Sequence, residues 1–439
     1  MFLVSKDTKR VVNLAFPAAL KHLVDILQIL TDMIMVGYIG VASLAAVGLS
    51  MQFLMIINVI ITLFVVGSNA LIARFSGQRR YHRSGALLFF LTILLLASSL
   101  VVSVLGYFYS GDFYALMGSS SEVIAEGEAY FSILSLGMAF IFLDTYFYNA
   151  LSSTGDTKNP LYIKLFSALI NAVLNYALIF GHFGFSEHGI RGAAIATVIS
   201  YIVATMLYFY LLRRSKKVRF VPIFVKSDAL RALRIGWSGA LDRGISSMSF
   251  LLFVSIIAAY GTVELAGYQV GLRIEGIAFM PGFGFAIAAS ALVGQSLGAK
   301  NYDLAFKFGI ISSRVAYLFM GSVGVVMILF PEFLISFFTD DPFTIAIASY
   351  YLIFVGLVQI PLAMVFVYSA ALRGAGATKT TLRINVASLW LFRVIPSYIA
   401  YKMGYGIEVI FIIMNVETLI KALIYGYIYN KKEWLYTKI

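Results

Sequence analysis

The sequence predicts an all-α integral membrane protein: twelve transmembrane helices in two pseudo-twofold-related six-helix lobes. Three observations predict it. Only 12% of the 439 residues are charged and 61% are apolar, where a soluble domain carries about 25% charged residues. The apolar residues gather into twelve runs, each close to or above the roughly 20 residues that cross a bilayer. The chain also contains itself twice, at a constant offset of 221 residues. Gly40, Leu44 and Ala45 recur as Gly261, Leu265 and Ala266; Ala70, Leu71, Gly77 and Tyr81 recur as Ala291, Leu292, Gly298 and Tyr302; Ala150, Leu151, Gly155, Thr157 and Lys158 recur as Ala371, Leu372, Gly376, Thr378 and Lys379.

The expected spans are 12–37, 44–74, 84–108, 122–152, 159–181 and 190–212, then 229–259, 265–297, 304–330, 343–372, 380–404 and 406–430. The offset maps the first six onto the last six. An even number of helices per half makes the repeat parallel, with its axis along the membrane normal, an arrangement found in transporters. The second, fourth, eighth and tenth spans exceed the bilayer and must tilt or extend beyond it. Pro17, Gly239, Pro281, Gly282, Gly284, Pro361 and Pro396 lie inside the runs and mark places for kinks, above all in the first and eighth helices.

Charge placement sets the topology. Lys6, Lys9 and Arg10, then Arg79, Arg80 and Arg83, then Lys158, then Arg213 to Arg219, then Lys300, Lys379, Lys431 and Lys432 fall on one set of loops. Asp112, Glu187, Glu264, Glu332, Asp340 and Asp341 fall on the other. The basic set is expected in the cytoplasm, with both termini. The net charge of +12 is thereby a topology signal, and no nucleic-acid partner is expected. The polar stretch RRSKKVRFVPIFVKS (213–227) joins the halves. The expected division is an N-terminal lobe at 1–215, a cytoplasmic linker at 216–227 and a C-terminal lobe at 228–439. The N-terminal segment MFLVSKDTKR lacks the small-residue cleavage site of a signal peptide and reads as mature sequence.

Function is expected where ionisable groups lie deep in the membrane, because each costs at least about 2.5–3.5 kcal/mol there. Asp32, in LTDMIMVGYIG, is the foremost candidate, and Asp25 is two helical turns before it. Asn171 and Asn175 stand four apart, on one face of the fifth span, and Thr197 is in the sixth. Asp32, Asn171, Asn175 and Thr197 together offer hard oxygen ligands, a set suited to Na⁺ or, on the carboxylate, to H⁺. The other candidates, for a substrate or proton pathway, are Asp25, Asp144, Asp242, Arg243, Arg273, Glu275 and Met280. Asp242 beside Arg243, and Arg273 near Glu275, also read as structural ion pairs. Glu408 and Glu417 read as peripheral. Phe279, Met280, Phe283 and Phe285 around Pro281 read as an adaptable apolar lining for large cations.

The exclusions are as informative. The chain has no cysteine and four histidines, which stand apart except for His182 and His188 in one loop. No disulfide, thiolate or His-rich metal site is expected. HExxH, GxSxG and GxxxxGK[ST] are absent, so no enzyme, no cofactor and no ATP-driven step is expected.

At several of these residues the chain resembles the multidrug and toxic compound extrusion (MATE) family, and within it the DinF-like branch. The motif TDMIMVG resembles the family's acid-bearing first helix. ALSSTGDTKNP and ALRGAGATKTT resemble its LRGxGDT-type segment in each half, and GYQVGLRIEGIAFMPGFGFAIAASALVGQSLGAKN resembles the eighth-helix signature of the branch. The resemblance implies two six-helix lobes in an outward- or inward-facing V and cation-coupled efflux by alternating access. It places Asp32, Asn171, Asn175 and Thr197 at the family's amino-terminal cation site. Asn175 stands where some members carry an aspartate. The tenth-helix acid of another branch is missing from QIPLAMVFVYSAALRG, and Asp242 matches a glutamate of the DinF-like branch.

The expected function is secondary antiport in a prokaryotic cytoplasmic membrane. Amphipathic organic cations or toxic compounds would leave in exchange for H⁺ or Na⁺. A cation on Asp32 would bend or shift the first helix near Pro17 and release the drug. A monomer is expected. The alternative is a lipid-linked precursor flippase, which would gather intramembrane bases, here Lys21, Lys164, Arg243, Arg273, Arg383 and Arg393, around a pyrophosphate.

Overall fold

The computed structural model describes residues 5–437. The first half runs α1 (Lys6–Gly37), α2 (Val41–Gly77), α3 (Tyr81–Phe108), the short α4 (Ser110–Leu116), α5 (Ser121–Leu136), α6 (Met138–Ser153), α7 (Lys158–Phe180) and α8 (Gly189–Arg214). The second half runs α9 (Lys226–Ala258), α10 (Thr262–Gly298), α11 (Tyr302–Leu329), the short α12 (Pro331–Ile335), α13 (Pro342–Leu357), α14 (Gln359–Gly374), α15 (Thr378–Leu389), a π-turn (Trp390–Val394), α16 (Ile395–Lys402) and α17 (Ile407–Lys431).

Among the described residues, seven helices are each long and apolar enough to cross a membrane, and nine if each bent pair is one span. Three further segments complete the twelve. The segments α1 and α17 carry charges in mid-helix, Asp25 and Asp32 in one and Glu417 and Lys421 in the other. The third, α15 to α16, is divided by the π-turn.

The 221-residue offset is written into the helix boundaries. Val41 and Thr262, Tyr81 and Tyr302, and Met138 and Gln359 open equivalent helices. It fails at the last pair. The connection from α7 to α8 (181–188) is longer than that from α16 to α17 (403–406), so Gly189 and Ile190 answer to Gly406 and Ile407, four positions out of step.

The bends do not fall where the prolines of the first and eighth spans suggested. Helices α1 and α10 run unbroken through Pro17 and Pro281. Instead the fourth and tenth spans break, α5 to α6 by 57° and α13 to α14 by 58°. At the first break a Cβ on Gly137 would lie 2.5 Å from Val198 Cγ2, so the close approach of α8 demands glycine there. Pro361 sits in the first turn of α14 and Pro396 in that of α16. A missing N–H is harmless in a first turn but leaves no bond to the segment before it. That fits the break before Pro361 and the π-turn before Pro396.

The chain forms two compact units. One comprises Leu20–Gly236; the other comprises the residues up to Ala19 together with those from Trp237 onward. The division expected at 215 and 228 therefore differs from these units at both ends. Helix α1 changes unit between Ala19 and Leu20, within a turn of Pro17, and α9 changes between Gly236 and Trp237. The crossing segments are fastened by glycine. A Cβ on Gly236 would lie 1.7 Å from the Leu63 carbonyl oxygen, and one on Gly67 would lie 1.8 Å from that of Ala232. In the other unit a Cβ on Gly284 would lie 2.4 Å from the Ala15 carbonyl oxygen. Leu63 and Gly236 are the 221-residue equivalents of Gly284 and Ala15, so the same contact is made twice with the glycine on opposite partners. Asp228, 1% exposed, is held by Arg83 Nε and Nη2 at 3.0 Å each and anchors the first turn of α9 to α3.

Candidate functional site

In the Leu20–Gly236 unit, α7 and α8 pack along each other and present the polar residues singled out from sequence. All four expected ligands come together with the last turns of α1. Asn175 Nδ2 donates to Asp32 Oδ1 and lies 3.4 Å from Asn171 Oδ1. Asn171 Nδ2 donates in turn to Thr197 Oγ1 at 3.5 Å. Both asparagines are fully buried. The i, i+4 spacing on α7 puts their amides in register. One atom is left over: the buried Asn175 Oδ1 has no hydrogen-bond partner. An unpartnered acceptor in such a place is costly. The cluster also holds the Asp32 carboxylate, the Asn171 carbonyl and the Thr197 hydroxyl, a set of hard oxygens whose chemistry suits a small cation.

A second cluster lies two turns earlier on α1. Lys21 Nζ is 2.8 Å from Asp25 Oδ2, and Lys164 Nζ is 3.0 Å from Asp25 Oδ1 and 2.6 Å from Gln28 Oε1. Lys21 also lies 4.3 Å from the centre of the Tyr148 ring. Asp144, buried on α6, stands in the field of the same two lysines. Two buried ammonium groups are thus matched by two carboxyl groups. Asp25, an expected partner of Asp32, is engaged with lysines instead. Lys164 is the residue that sequence reasoning underweighted, although it lies two turns before Asn171 on the same helix.

The candidates of the second half belong to separate networks. Both oxygens of Asp242 accept from Asn385 Nδ2 at 2.9 Å, and Arg373 Nη1 is 4.0 Å away. The Tyr425 hydroxyl donates to Asn385 Oδ1 at 2.9 Å. Glu275 accepts from the Tyr351 hydroxyl. The neighbours in sequence are not the partners: Arg243 and Arg273 are exposed. Residues one or two apart on a helix point in different directions, so neither pairs with the acid beside it. Met280 is buried, Phe285 packs in the core and Phe283 is 42% exposed. These side chains therefore do not form one lining.

Glu417 overturns its peripheral reading. It is fully buried, with Arg393 Nη2 and Lys421 Nζ each at 2.7 Å. The i, i+4 spacing of Glu417 and Lys421 was a legible signal. Arg393, on the π-turn, also reaches Thr418 Oγ1 at 3.4 Å and stands over the Phe253 ring. Glu408 is exposed at the start of α17, as expected. No group of three or more His, Cys, Asp or Glu suited to a metal ion occurs among the described residues.

Comparison with known proteins follows the same pattern of halves. The family model MatE matches residues 17–177 and again 240–399. The probable multidrug resistance protein NorM of Thermotoga maritima is 30% identical over 414 residues, covering 91% of this chain and 87% of its own. The probable multidrug resistance protein YoeA of Bacillus subtilis is 28% identical over 385 residues, covering 85% and 82%. Among solved structures, a mutant of the Vibrio cholerae MATE transporter VcmN superposes with a TM-score of 0.91 at 20% identity, over 99% of each chain.

Proposed function

The chain belongs to the MatE family, and from that premise we propose that it is a multidrug exporter driven by cation exchange. Its substrates are amphipathic organic cations and related toxic compounds, and its driving ion is Na⁺ or H⁺. It lies in a prokaryotic cytoplasmic membrane as a multi-pass monomer, with both termini on the cytoplasmic side and the basic loops beside them. The DinF-like branch is the one its eighth-helix segment resembles.

One observation carries the reading: the hydrogen-bonded line Asp32–Asn175–Asn171–Thr197, with the buried Asn175 Oδ1 unpartnered. The incoming ion is held between the Asp32 carboxylate and these neutral oxygens. Its arrival rearranges the last turns of α1, and the drug is released from the amino-terminal lobe. The proximity of Pro17 to the point where α1 changes unit supports that helix as the moving part. Asp25, Asp144, Lys21 and Lys164 form the charged wall behind the ion. Asp242, Arg243, Arg273, Glu275 and Met280 are kept as candidates for a substrate or proton pathway in the second half; Asp242 and Glu275 are held in hydrogen-bond networks of their own, and the two arginines are exposed.

The flippase reading is not favoured. Lys21 and Lys164 are paired with Asp25, Arg393 is paired with Glu417, and Arg243, Arg273 and Arg383 are exposed. Three of the six intramembrane bases are thus already neutralised by carboxylates.

The test is efflux of ethidium or norfloxacin from proteoliposomes, with a Na⁺ gradient and a pH gradient imposed separately. Asp32→Asn is expected to abolish the response to whichever gradient drives the wild type. Wild-type transport by the Asp32→Asn variant would sink the assignment.

A further inference from the structure

In the Leu20–Gly236 unit, α3, α6 and α8 meet the segment that joins the two halves. That segment is firmly seated. A Cβ on Gly85 would lie 1.7 Å from the Arg219 carbonyl oxygen. Phe220 packs against Phe209, Phe147 and Phe89 at ring separations of 5.3, 5.7 and 6.4 Å. Phe224 packs against Phe90 and Phe89 at 5.3 and 6.0 Å.

Two cavities adjoin there and share Arg213 and Arg219. The first, of about 710 Å³, is an apolar trough with Phe89, Ile93, Leu96, Met206 and Phe209 in its walls. The second, of about 750 Å³, is lined by Tyr81, His82, Arg214, Ser215, Lys216 and Val221 besides the shared arginines. The spacing is regular. His82, Phe89, Ile93 and Leu96 recur at helical intervals along one face of α3, and Met206, Phe209 and Arg213 do so along α8. From His82 to Leu96 that face is about 21 Å long. The trough is open: Met206 is 64% and Ile93 38% exposed.

The charges are unmatched. Arg213, Arg214, Lys216 and Arg219 have no carboxylate partner among the described residues, whereas nearby Arg83 is tied to Asp228. Arg213 and Arg214 lie 4.4 and 4.5 Å over Phe209 and Tyr210, which holds their guanidinium groups at the mouth of the trough.

We propose that these two cavities are one binding site for an anionic phospholipid of the surrounding membrane. The phosphate sits among Arg213, Arg219, Arg214 and Lys216, and an acyl chain lies in the trough between α3 and α8. The arrangement has what such a ligand requires: bases at the end of an apolar span, where headgroups lie, and apolar surface running from them toward the bilayer centre. Guanidinium groups suit a phosphate bidentately. A free phosphate shares the headgroup chemistry but would make no use of the trough.

The experiment is thermal unfolding of the purified, delipidated protein in detergent, with four additions at equal concentration: phosphatidylglycerol, phosphatidylcholine with the same acyl chains, glycerol phosphate and inorganic phosphate. Phosphatidylglycerol is expected to raise the midpoint, by several degrees, and the other three are not. Arg213→Gln and Arg219→Gln are each expected to lower the phosphatidylglycerol preference about fivefold. Ile93→Trp, which fills the trough and leaves the bases in place, is expected to abolish it. Equal stabilisation by phosphatidylcholine would overturn the proposal, as would a full effect from inorganic phosphate alone. The wild-type comparison decides the matter even if a variant fails to fold.

Discussion

The guanidinium of Arg393 stands 5.6 Å from the ring centre of Phe253, and Phe253 is the 221-residue equivalent of Asp32. The same three elements meet in both places: α1, α7 and α8 around Asp32, and α9, the π-turn of α15–α16, and α17 around Phe253. In the first a carboxylate is grouped with the side-chain amides of Asn171 and Asn175 and the hydroxyl of Thr197. In the second the carboxylate is replaced by an aromatic ring and a cation is built in, neutralised by Glu417. The equivalent places in the two halves therefore hold a carboxylate–amide cluster in one and a permanent Arg393–Glu417 ion pair in the other.

The permanent pair is expected to be structural. Arg393→Met leaves the fully buried Glu417 with Lys421 alone, and removing one partner of a buried pair costs about 3–5 kcal/mol. Thermal unfolding of the purified protein should show a large loss for Arg393→Met. Glu417→Gln, which leaves the buried cations Arg393 and Lys421 without the carboxylate they share, should lose more, because Arg393→Met still leaves Glu417 paired with Lys421. Equal losses in the two variants would overturn that order.

Asn175 is expected to act on the ion and little on the fold. Asn175→Ala removes its hydrogen bond to Asp32 and the unpartnered Oδ1 together. A hydrogen bond to a charged group is worth about 1.5–3 kcal/mol, which is about 10- to 100-fold in a binding constant. The cation concentration that half-saturates transport should rise by that factor, with the maximal rate changed less. An unchanged cation dependence would remove Asn175 from the site.

How far these features could be read from the chain alone depends on the range of the interaction. The repeat was legible because equal lobes need equal helices, and the amide pair because Asn171 and Asn175 are four apart on one helix. The second-half networks were not. Asp242 and Asn385 are 143 positions apart, and adjacency in sequence pointed to Arg243, which a helix turns away from its neighbour. Pro17 and Pro281 suggested breaks, but a long helix packed along its length keeps its course through a single missing N–H. The break at Gly137 falls where Val198 approaches and is marked by no proline, whereas the break before Pro361 and the π-turn before Pro396 fall at prolines already legible in the sequence. The constant offset does not carry Thr197 onto its structural counterpart for a simpler reason: one loop is shorter.

Close backbone contact should make Gly236 intolerant of any side chain. A Cβ there would lie 1.7 Å from the Leu63 carbonyl oxygen, and backbone of a packed helix cannot swing aside as a side chain does. Gly236→Ala should destabilise by at least the roughly 1–3 kcal/mol typical of overpacking. Gly48, also in a helix, has open space around it: a methyl group at its Cβ position would meet nothing within 4 Å. Gly48→Ala should be neutral or stabilising by up to about 1 kcal/mol. Equal unfolding midpoints for the two variants would refute the contact.

The cap of α13 makes a pH-dependent prediction outside the membrane span. Asp341 Oδ2 accepts from Thr344 Oγ1 at 2.6 Å and from Thr344 N at 2.8 Å. These bonds, the hydroxyl's first, hold the Asp341 carboxyl below its usual range. A carboxyl whose folded value is depressed stabilises the fold fully above its unfolded value, near about 3.9, and the stabilisation fades as pH falls through the folded value. Asp341→Ala should therefore lower the unfolding midpoint at neutral pH, and the gap to wild type should narrow as the pH is taken below about 4. Asp341→Asn keeps a capping oxygen, so its midpoint should lie between the two at neutral pH and show no such acid dependence. A gap that stayed constant down to about pH 3, below the unfolded carboxyl's value, would show that the charge of Asp341 has no part in the cap.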